Sequence, residues 1–217
     1  MKLAGLICAA AALGMMGGVA NAATNLIVNG DFSNPNEGGG WGTTTSLGGG
    51  WKTNDPYGVF EVGNSSSIYG LPCISAPVCQ NLEVNANAID TVTYDATGLT
   101  PGASYNLVWY YGGRNSGGPQ QLDVSAGGPT VIDTSNGVTS VWTRNYLSVV
   151  ADSGGDATIS FASLGVGGSP SFGNELANVS LTAVPEPATW AMMLFGIGGL
   201  GVALRSRRKV ARAPIAA

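Results

Sequence analysis

The side chains that could do acid–base chemistry in this 217-residue chain are its carboxylates, because the sequence contains no histidine. The lack of histidine excludes Ser-His-Asp and Cys-His catalysis and also His-ligated zinc, copper or haem. A pair of carboxylates could still hydrolyse a glycosidic bond, but no acidic residue lies in a known catalytic motif. The sequence therefore predicts no catalytic residue, and a glycan hydrolase with unrecognised carboxylates stays open as an alternative.

Charge is distributed unevenly along the chain. Residues 23–184 contain twelve carboxylates and only three cations, Lys52, Arg114 and Arg144, which gives this segment a net charge of −9. Nucleic-acid binding depends on clustered lysine and arginine side chains that neutralise phosphates. The acidic balance therefore argues against a nucleic-acid partner.

Residues 23–183 are predicted to form a single β domain. Alternating apolar segments recur between Gly, Pro, Asn and Asp residues, and no long helical periodicity is present. Thr100-Pro101-Gly102-Ala103 has the composition of a type II turn. About nine strands in this length indicate an antiparallel sandwich or jelly roll. The predicted strands are Asn25–Val28, Gly58–Val62, Gln80–Val84, Ile89–Thr97, Ser104–Tyr111, Gln121–Ser125, Ser140–Ala151, Ala157–Ser163 and Glu175–Ala183.

Residues 1–22 have the composition of a secretory signal peptide. Lys2 supplies the positive charge, Leu3 to Val19 is apolar, and Ala20-Asn21-Ala22 is an A-x-A cleavage site. We expect the Sec export machinery and signal peptidase to act on this segment. A retained membrane anchor is the alternative.

The C-terminal segment 184–209 has three parts in order. A Pro-Glu-Pro triplet precedes a mostly apolar run, residues 188–204, which lies at the short end of what spans a bilayer. A basic cluster, residues 205–209, follows and would keep the tail 210–217 in the cytoplasm. The residues that carry the pattern are Pro185, Glu186, Pro187, Arg205, Arg207 and Arg208.

This order of parts resembles the PEP-CTERM sorting signal, with residues 188–204 as its transmembrane helix. The resemblance implies a protein exported in a Gram-negative bacterium, anchored transiently in the inner membrane and cleaved near the Pro-Glu-Pro by an exosortase-type membrane protease. The product would reach the cell surface or extracellular matrix. Genomes with this system usually make extracellular polysaccharide, which makes exopolysaccharide an expected partner.

Cys73 and Cys79 are the cysteines outside the predicted signal peptide. An even number of cysteines in an exported chain indicates a disulfide, because the compartment is oxidising. The short loop between them would stabilise the fold by roughly 2 kcal/mol when closed. Two free buried thiols are the alternative.

The middle domain carries a second resemblance, on four short motifs. They are Asn25-Leu26-Ile27-Val28-Asn29-Gly30-Asp31-Phe32-Ser33, Gly50-Trp51, Leu99-Thr100-Pro101-Gly102-Ala103-Ser104-Tyr105 and Leu176-Ala177-Asn178-Val179-Ser180-Leu181. Together they are similar to galactose-binding-like jelly rolls, the fold of many carbohydrate-binding modules. The resemblance implies an all-β, antiparallel β-sandwich of jelly-roll type.

The same resemblance implies a structural calcium ion between the first and last strands. Asp31, Glu175 and Asn178 would supply oxygen ligands, the type that calcium prefers. This chain departs from the pattern, because Ala177-Asn178 stands where many relatives have an Asp pair. The alternative is that Asp31 stabilises its own turn through hydrogen bonds to the backbone.

The candidate ligand-binding side chains are aromatic or polar groups in or beside turns and Gly-rich loops. Such loops on a rigid sandwich commonly bind ligands, and aromatic faces with amide or guanidinium groups suit sugars. The candidates are Trp41, Tyr57, Tyr111, Arg114 and Asn115. Burial in the core is the alternative for Trp41, and a solvated loop charge is the alternative for Arg114. Trp51, Trp109 and Trp142 lie in or beside strands and are predicted to be core residues.

These observations predict a non-catalytic, exported surface or matrix protein that associates with exopolysaccharide. A carbohydrate-binding module with a defined sugar site is the first alternative. Saturable binding of one sugar would distinguish that alternative, and turnover of a polysaccharide would be required for the hydrolase.

Overall fold

A computed structural model describes residues 24–74, 76–114, 118–128, 130–135, 141–165, 170–171, 173–184, 193–200 and 205. Several predicted features lie outside the described residues. They are the signal peptide 1–22, the candidate ligand residue Asn115, the sorting residues Pro185, Glu186, Pro187, Arg207 and Arg208, and the tail 210–217.

The described chain forms eleven strands. They are β1 Trp41–Thr44, β2 Trp51–Thr53, β3 Phe60–Asn64, β4 Gln80–Glu83, β5 Thr91–Ala96, β6 Ser104–Gly113, β7 Gln120–Ser125, β8 Thr130–Ser135, β9 Thr143–Val150, β10 Ala157–Leu164 and β11 Asn174–Ala183. Six of them form sheet A in the order β1-β3-β4-β11-β6-β9, and five form sheet B in the order β2-β5-β10-β7-β8. Every pairing in both sheets is antiparallel. The prediction of an all-β antiparallel sandwich is confirmed.

Eight of the nine predicted strands correspond to strands of the structure, with ends that differ by up to three residues. Asn25–Val28 is wrong as a strand, although it packs on the sandwich: Ile27 lies in the core and the Leu26 N–H donates to the Leu181 carbonyl. Three strands were missed. β1 lies in the Gly- and Thr-rich loop, β2 has only three residues, and β8 lacks an apolar run.

The core lies between the two sheets and follows the alternation of each strand. Leu122 and Val124 of β7 point inward, as do Ile159 and Phe161 of β10. An aromatic cluster fills the centre, where the Trp51 ring lies 5.0 Å from the Tyr94 ring and 5.3 Å from the Phe32 ring. The predictions that Trp51 and Trp109 are core residues are confirmed.

Both sheets, and all the core residues of the described chain, lie between residues 24 and 184. This segment therefore contains a complete hydrophobic core and can fold by itself. The predicted membrane helix 188–204 is described in part: residues 193–200 are helical with exposed apolar side chains. No helix among the described residues is long and apolar enough to cross a membrane.

A buried carboxylate connects the two sheets at one side of the core. Asp133 of β8 in sheet B accepts hydrogen bonds from Trp109 Nε1 of β6 at 2.7 Å and from Asn145 Nδ2 of β9 at 2.6 Å, and both donors belong to sheet A. Burial raises the pKa of Asp133 from 3.8 to about 6, although the two hydrogen bonds oppose this shift.

The raised pKa of Asp133 predicts a pH-dependent contribution to stability. The folded state binds this proton more tightly than the unfolded state does. The contribution is therefore complete below about pH 4 and is lost as the pH rises through 6. As the pH rises from 4 to 7, we expect the free energy of unfolding to fall less in Asp133→Asn than in the wild type. The difference should reach up to about 3 kcal/mol. Urea unfolding across this range measures the difference.

The control variant is Asp156→Asn, which changes an exposed carboxylate in a turn. This variant should keep the pH profile of the wild type. Identical pH profiles for Asp133→Asn and the wild type would contradict the predicted role of Asp133.

Candidate functional site

Sheet A has one face on the core and an opposite face, called the outer face here. The inward-facing residues of three strands are Phe60 and Val62, Leu82, and Leu176. Because side chains alternate along a strand, the residues next to them in sequence point to the outer face. The outer face therefore receives glutamates from three neighbouring strands: Glu61 from β3, Glu83 from β4 and Glu175 from β11.

The three glutamates stand side by side, and together they are called the glutamate row. Glu61 is the direct cross-strand partner of Glu83, and Glu83 is the direct partner of Glu175. The row ends at Gly112 of β6, which pairs with Glu175. Directly opposed residues on one face lie about 5 Å apart, and like charges in such pairs are destabilising. The row needs positive charge or protons to be stable.

A segment after β3, residues 65–74, lies over the glutamate row and is called the strap. Two of its side chains, Tyr69 and Leu71, are fully buried against the sheet. Glycines in the strands below leave the space they need. A Cβ on Gly63 would lie 2.7 Å from the Tyr69 hydroxyl, and one on Gly112 would lie 2.9 Å from Leu71.

The strap is fastened to the sandwich at several points. The Tyr69 hydroxyl donates to Glu61 Oε1 at 3.1 Å, and Trp142 Nε1 donates to the Pro72 carbonyl at 2.7 Å. Cys73 forms a disulfide with Cys79, as predicted. Trp142, predicted to lie in the core, is instead half-buried over Gly112 on the outer face.

Arg114 supplies positive charge to the glutamate row. Its guanidinium donates to Glu83 Oε2 at 2.9 Å and lies 5.1 Å from the centre of the Tyr69 ring. Glu83 Oε1 accepts from the Gly173 backbone N–H at 2.6 Å. Arg114 was predicted to bind a sugar, with a solvated loop charge as the alternative. The structure places it in neither role, because it is half-buried against the glutamates.

Raised pKa values favour the neutral forms of two glutamates in the row. Burial and the neighbouring Glu61 carboxylate raise the pKa of Glu83 well above its ordinary value, against the opposing effect of Arg114. Burial and the Glu83 carboxylate raise the pKa of Glu175 in the same way. Asn81 Nδ2 donates to Glu175 Oε2, whereas Glu175 Oε1 has no hydrogen-bond donor. Glu83 and Glu175, the two glutamates fully buried under the strap, are therefore the members of the row that favour protonation.

A second part of the outer face is open to solvent. Strands β11, β6 and β9 continue beyond the strap and present a band of aromatic, cationic and hydroxyl side chains, called the open strip. Tyr110 pairs with Arg144, and Val108 pairs with Tyr146, whose side chain is 75% exposed. The other members of the open strip are Asn106, Ser148, Ser180 and Thr182.

The predicted ligand-binding residues do not converge on one place. Trp41 lies on the outer face at the opposite edge of sheet A, 57% exposed, where it pairs with Gly63. Tyr57 is exposed in the turn between β2 and β3. Tyr111 is a correction to the predicted set: it points into the core, and its hydroxyl donates to Asn174 Oδ1 at 2.8 Å.

Sequence reasoning missed Arg144 and Tyr146. The signal that could have found them is alternation in the predicted strand Ser140–Ala151. Leu147 and Val149 are its core residues, so Arg144, Tyr146 and Ser148 must point the other way.

Two of the three residues predicted to hold calcium, Asp31 and Glu175, have other hydrogen-bond partners. Asp31 Oδ1 accepts from the Ser33 N–H at 3.3 Å and from the Ser33 hydroxyl at 3.0 Å, which confirms the alternative that Asp31 stabilises its own turn. Glu175 lies in the glutamate row. Asn178 occupies a bulge in β11 with φ of 50°. Among the described residues, no group of three or more Asp, Glu, His or Cys side chains is arranged to hold a metal ion. Calcium at these three residues stays a prediction.

Residues 183–209 match the PEP-CTERM protein-sorting motif. The motif begins at the last residue of β11, so the sorting signal follows the sandwich directly. It implies export and processing by an exosortase, a membrane protease, as the sequence predicted. No curated protein sequence matches the chain.

Solved structures with similar folds include carbohydrate-binding modules. TmCBM61, in complex with β-1,4-galactotriose, has 13% identity and a TM-score of 0.46 over 75% of this chain and 100% of that one. The CBM22-1 xylan-binding domain of Paenibacillus barcinonensis Xyn10C has 11% identity and a TM-score of 0.46 over 77% and 99%. The enzymatically active domain of bacteriophage CBA120 tailspike protein 4 has 14% identity and a TM-score of 0.44 over 74% and 21%, so the chain spans about a fifth of that protein. With TM-scores below 0.5, none of them bears on what this chain binds.

The glutamate row predicts a large effect of removing Arg114. Arg114→Met leaves buried carboxylates without their countercharge, and loss of one partner of a buried ion pair commonly costs 3–5 kcal/mol. We expect a loss of about 3 kcal/mol at pH 7.5 and a smaller loss at pH 4.5, because the raised pKa values of Glu83 and Glu175 favour their neutral forms as the pH falls. Urea unfolding at both pH values measures this difference.

Arg144→Met is the matched control, because it removes an exposed arginine from the same face of sheet A. It should change stability by no more than about 0.5 kcal/mol. Equal effects of the two substitutions would show that Arg114 does not hold the row together.

Proposed function

We propose that this protein is a non-catalytic, exosortase-processed surface or matrix protein whose sandwich binds exopolysaccharide through the open strip. The Sec machinery and signal peptidase would export it, and an exosortase would cleave its sorting signal. Because the motif follows β11 directly, cleavage near the Pro-Glu-Pro would release the sandwich with both sheets intact.

The observation that carries the binding proposal is the exposed Tyr146 ring beside Arg144 on a regular sheet face. An exposed aromatic ring offers a flat apolar surface on which a sugar ring can stack. Neighbouring guanidinium, hydroxyl and amide groups then bind its hydroxyl groups, which is the arrangement of a selective ligand site. The open strip combines all of these groups without an element that covers them in the described structure.

The shape of the open strip favours a polymer over a single sugar. The strip follows β9 for its eight residues, which is about 26 Å at the rise of an extended strand. It is a band on a sheet face and not a closed pocket. A polysaccharide chain lying along β9 could contact several side chains in succession.

The net charge of the domain limits the kind of polysaccharide that it can bind. Residues 23–184 have a net charge of −9, which repels a strongly anionic polymer at low ionic strength. Arg144 is the cation of the open strip, and one guanidinium does not offset that field. We therefore propose a neutral or weakly acidic polysaccharide as the ligand.

The absence of catalysis is also part of the proposal. A hydrolytic carboxylate pair must reach the glycosidic bond, whereas Glu83 and Glu175 are fully buried beneath the strap. No described feature of the outer face favours the hydrolase alternative. Release of reducing ends from exopolysaccharide by the purified sandwich would contradict a non-catalytic role.

The direct test is binding of residues 24–184 to exopolysaccharide purified from the producing cells. We expect saturable binding that weakens at least tenfold in Tyr146→Ala, because one stacked ring is worth about 1.5 kcal/mol or more. Affinity electrophoresis in gels containing the polysaccharide measures the change.

Tyr57→Ala is the matched control, because Tyr57 is 76% exposed and Tyr146 is 75% exposed. Trp41→Ala tests the opposite edge of the same face. If Tyr57→Ala or Trp41→Ala abolishes binding while Tyr146→Ala does not, the open strip is not the site. No saturable binding of any polysaccharide fraction would reject carbohydrate binding altogether.

A further inference from the structure

Two buried aspartates lie together at the end of the sandwich where β3 begins and β4 ends, the end that also carries Glu61 and Glu83. Asp55 is in the turn between β2 and β3 and is 6% exposed, and Asp90 directly precedes β5 and is 3% exposed. Their side-chain carboxyl groups contact each other within hydrogen-bond distance. Two carboxylates at this separation repel each other strongly in a buried site, so either a shared proton or a cation must lie between them.

Asp55 is held in a fixed position by its own turn. Its Oδ1 accepts from the backbone N–H groups of Tyr57 at 2.8 Å and Val59 at 3.2 Å. Its Oδ2 accepts from Asn87 Nδ2 at 2.9 Å. Asn87 is exposed, so the pair has a route to solvent past this side chain.

Asp90 is satisfied only in part, because its carboxyl group accepts from the backbone N–H groups of Asn87 and Ala88. Its Oδ2 is buried and has no hydrogen-bond donor among the described residues. A buried carboxylate oxygen without a donor is costly and needs an explanation such as an ion. In the described part of the chain the ion pairs are Lys52 with Asp95 and Arg114 with Glu83, and neither involves Asp55 or Asp90.

The two aspartates are carried on segments that are tied together. The Asn54 N–H donates to the Thr91 carbonyl at 3.2 Å, and the Thr91 N–H donates to Asn54 Oδ1 at 2.6 Å. The Asp90 carbonyl accepts from the Ser163 N–H at 2.8 Å. The backbone on both sides is therefore fixed, which keeps the two side chains close to each other.

We infer that Asp55, Asp90 and Asn87 form a calcium site at this end of the sandwich. Asp55 Oδ2 and Asp90 Oδ2 would be carboxylate ligands, and the Asn87 amide would turn to present its oxygen. Calcium accepts six to eight oxygen ligands and takes water for the rest. The all-oxygen donor set suits this hard cation and does not suit zinc or copper, which prefer nitrogen and sulfur. The site shares no residue with Asp31, Glu175 and Asn178.

The experiment is calorimetric titration of residues 24–184 with calcium at pH 7.5 after treatment with EDTA. We expect one calcium ion per chain with a Kd of about 0.1–1 mM, as in extracellular modules. A hundredfold excess over the Kd should raise the Tm by about 5–10 °C. Magnesium should give little shift, because it demands a tighter octahedral site.

Three variants locate the ion. Asp55→Asn and Asp90→Asn should each weaken calcium binding at least tenfold and abolish the calcium-dependent rise in Tm. Asn can still accept the turn hydrogen bonds of Asp55. An amide at position 90 can donate to Asp55, so Asp90→Asn should fold without calcium and have at least the Tm of the calcium-free wild type. Asp31→Asn is the control and should bind calcium like the wild type.

Two results would overturn the site. If the wild type binds no calcium at 10 mM and pH 7.5, the aspartates share a proton and not a cation. If binding is lost in Asp31→Asn but kept in Asp55→Asn and Asp90→Asn, the ion lies between the first and last strands. Neither result depends on whether the open strip binds a polysaccharide.

Discussion

The packing of three neighbouring glutamates beside one guanidinium, with two of the glutamates fully buried, is the constraint that shapes the outer face of sheet A. Without neutralising groups, the negative charges of the row would push β3, β4 and β11 apart, because direct cross-strand neighbours of like charge repel. Arg114 bonds to the middle glutamate, Tyr69 donates to the first, and Asn81 donates to the third. These contacts offset part of the repulsion and let the strap close over the sheet. Its closure buries Glu83 and Glu175, and this burial raises their pKa values.

The strap covers one part of the outer face, so a ligand must approach sheet A at the other part. The strap ends beside Trp142, and beyond it β6, β9 and β11 continue as a regular open surface. The disulfide between Cys73 and Cys79 fixes the end of the strap, so the boundary between the covered and open halves is stable. A polymer approaching sheet A would meet Tyr146 and Arg144 and not the glutamates. Binding and charge burial thus occupy different parts of one face.

Much of the fold could be predicted from sequence, because alternation is a local signal. Ile159 and Phe161, with polar neighbours between them, predicted the core face of β10 correctly, and the paired cysteines predicted the disulfide. β1 was missed because Trp41-Gly42-Thr43-Thr44 lies among glycines and pairs only at the edge of a sheet. The glutamate row was missed for another reason. Glu61, Glu83 and Glu175 are far apart in the chain, and only the strand order β3-β4-β11 brings them together. Tyr111 was predicted to bind a ligand because it lies beside a Gly-rich loop, but a residue in this position can still belong to the core.

The domain has few cations with which to neutralise its two buried acidic clusters. Three cations serve twelve carboxylates in residues 23–184. Lys52 pairs with Asp95 at the surface, Arg144 faces solvent, and Arg114 is the one directed into a glutamate cluster in the described structure. The glutamates can also share protons, since carboxyl groups on neighbouring strands lie at hydrogen-bond distance. Among the described residues, Asp55 and Asp90 have no arginine or lysine partner. Their backbone is nevertheless held by the bonds between Asn54 and Thr91 and by the bond from Ser163 to Asp90. A domain that is exported to a medium containing divalent cations can bind one of them, which supplies the positive charge that its own side chains lack. This difference in available charge is why the aspartate pair, and not the glutamate row, is the place to look for a metal ion.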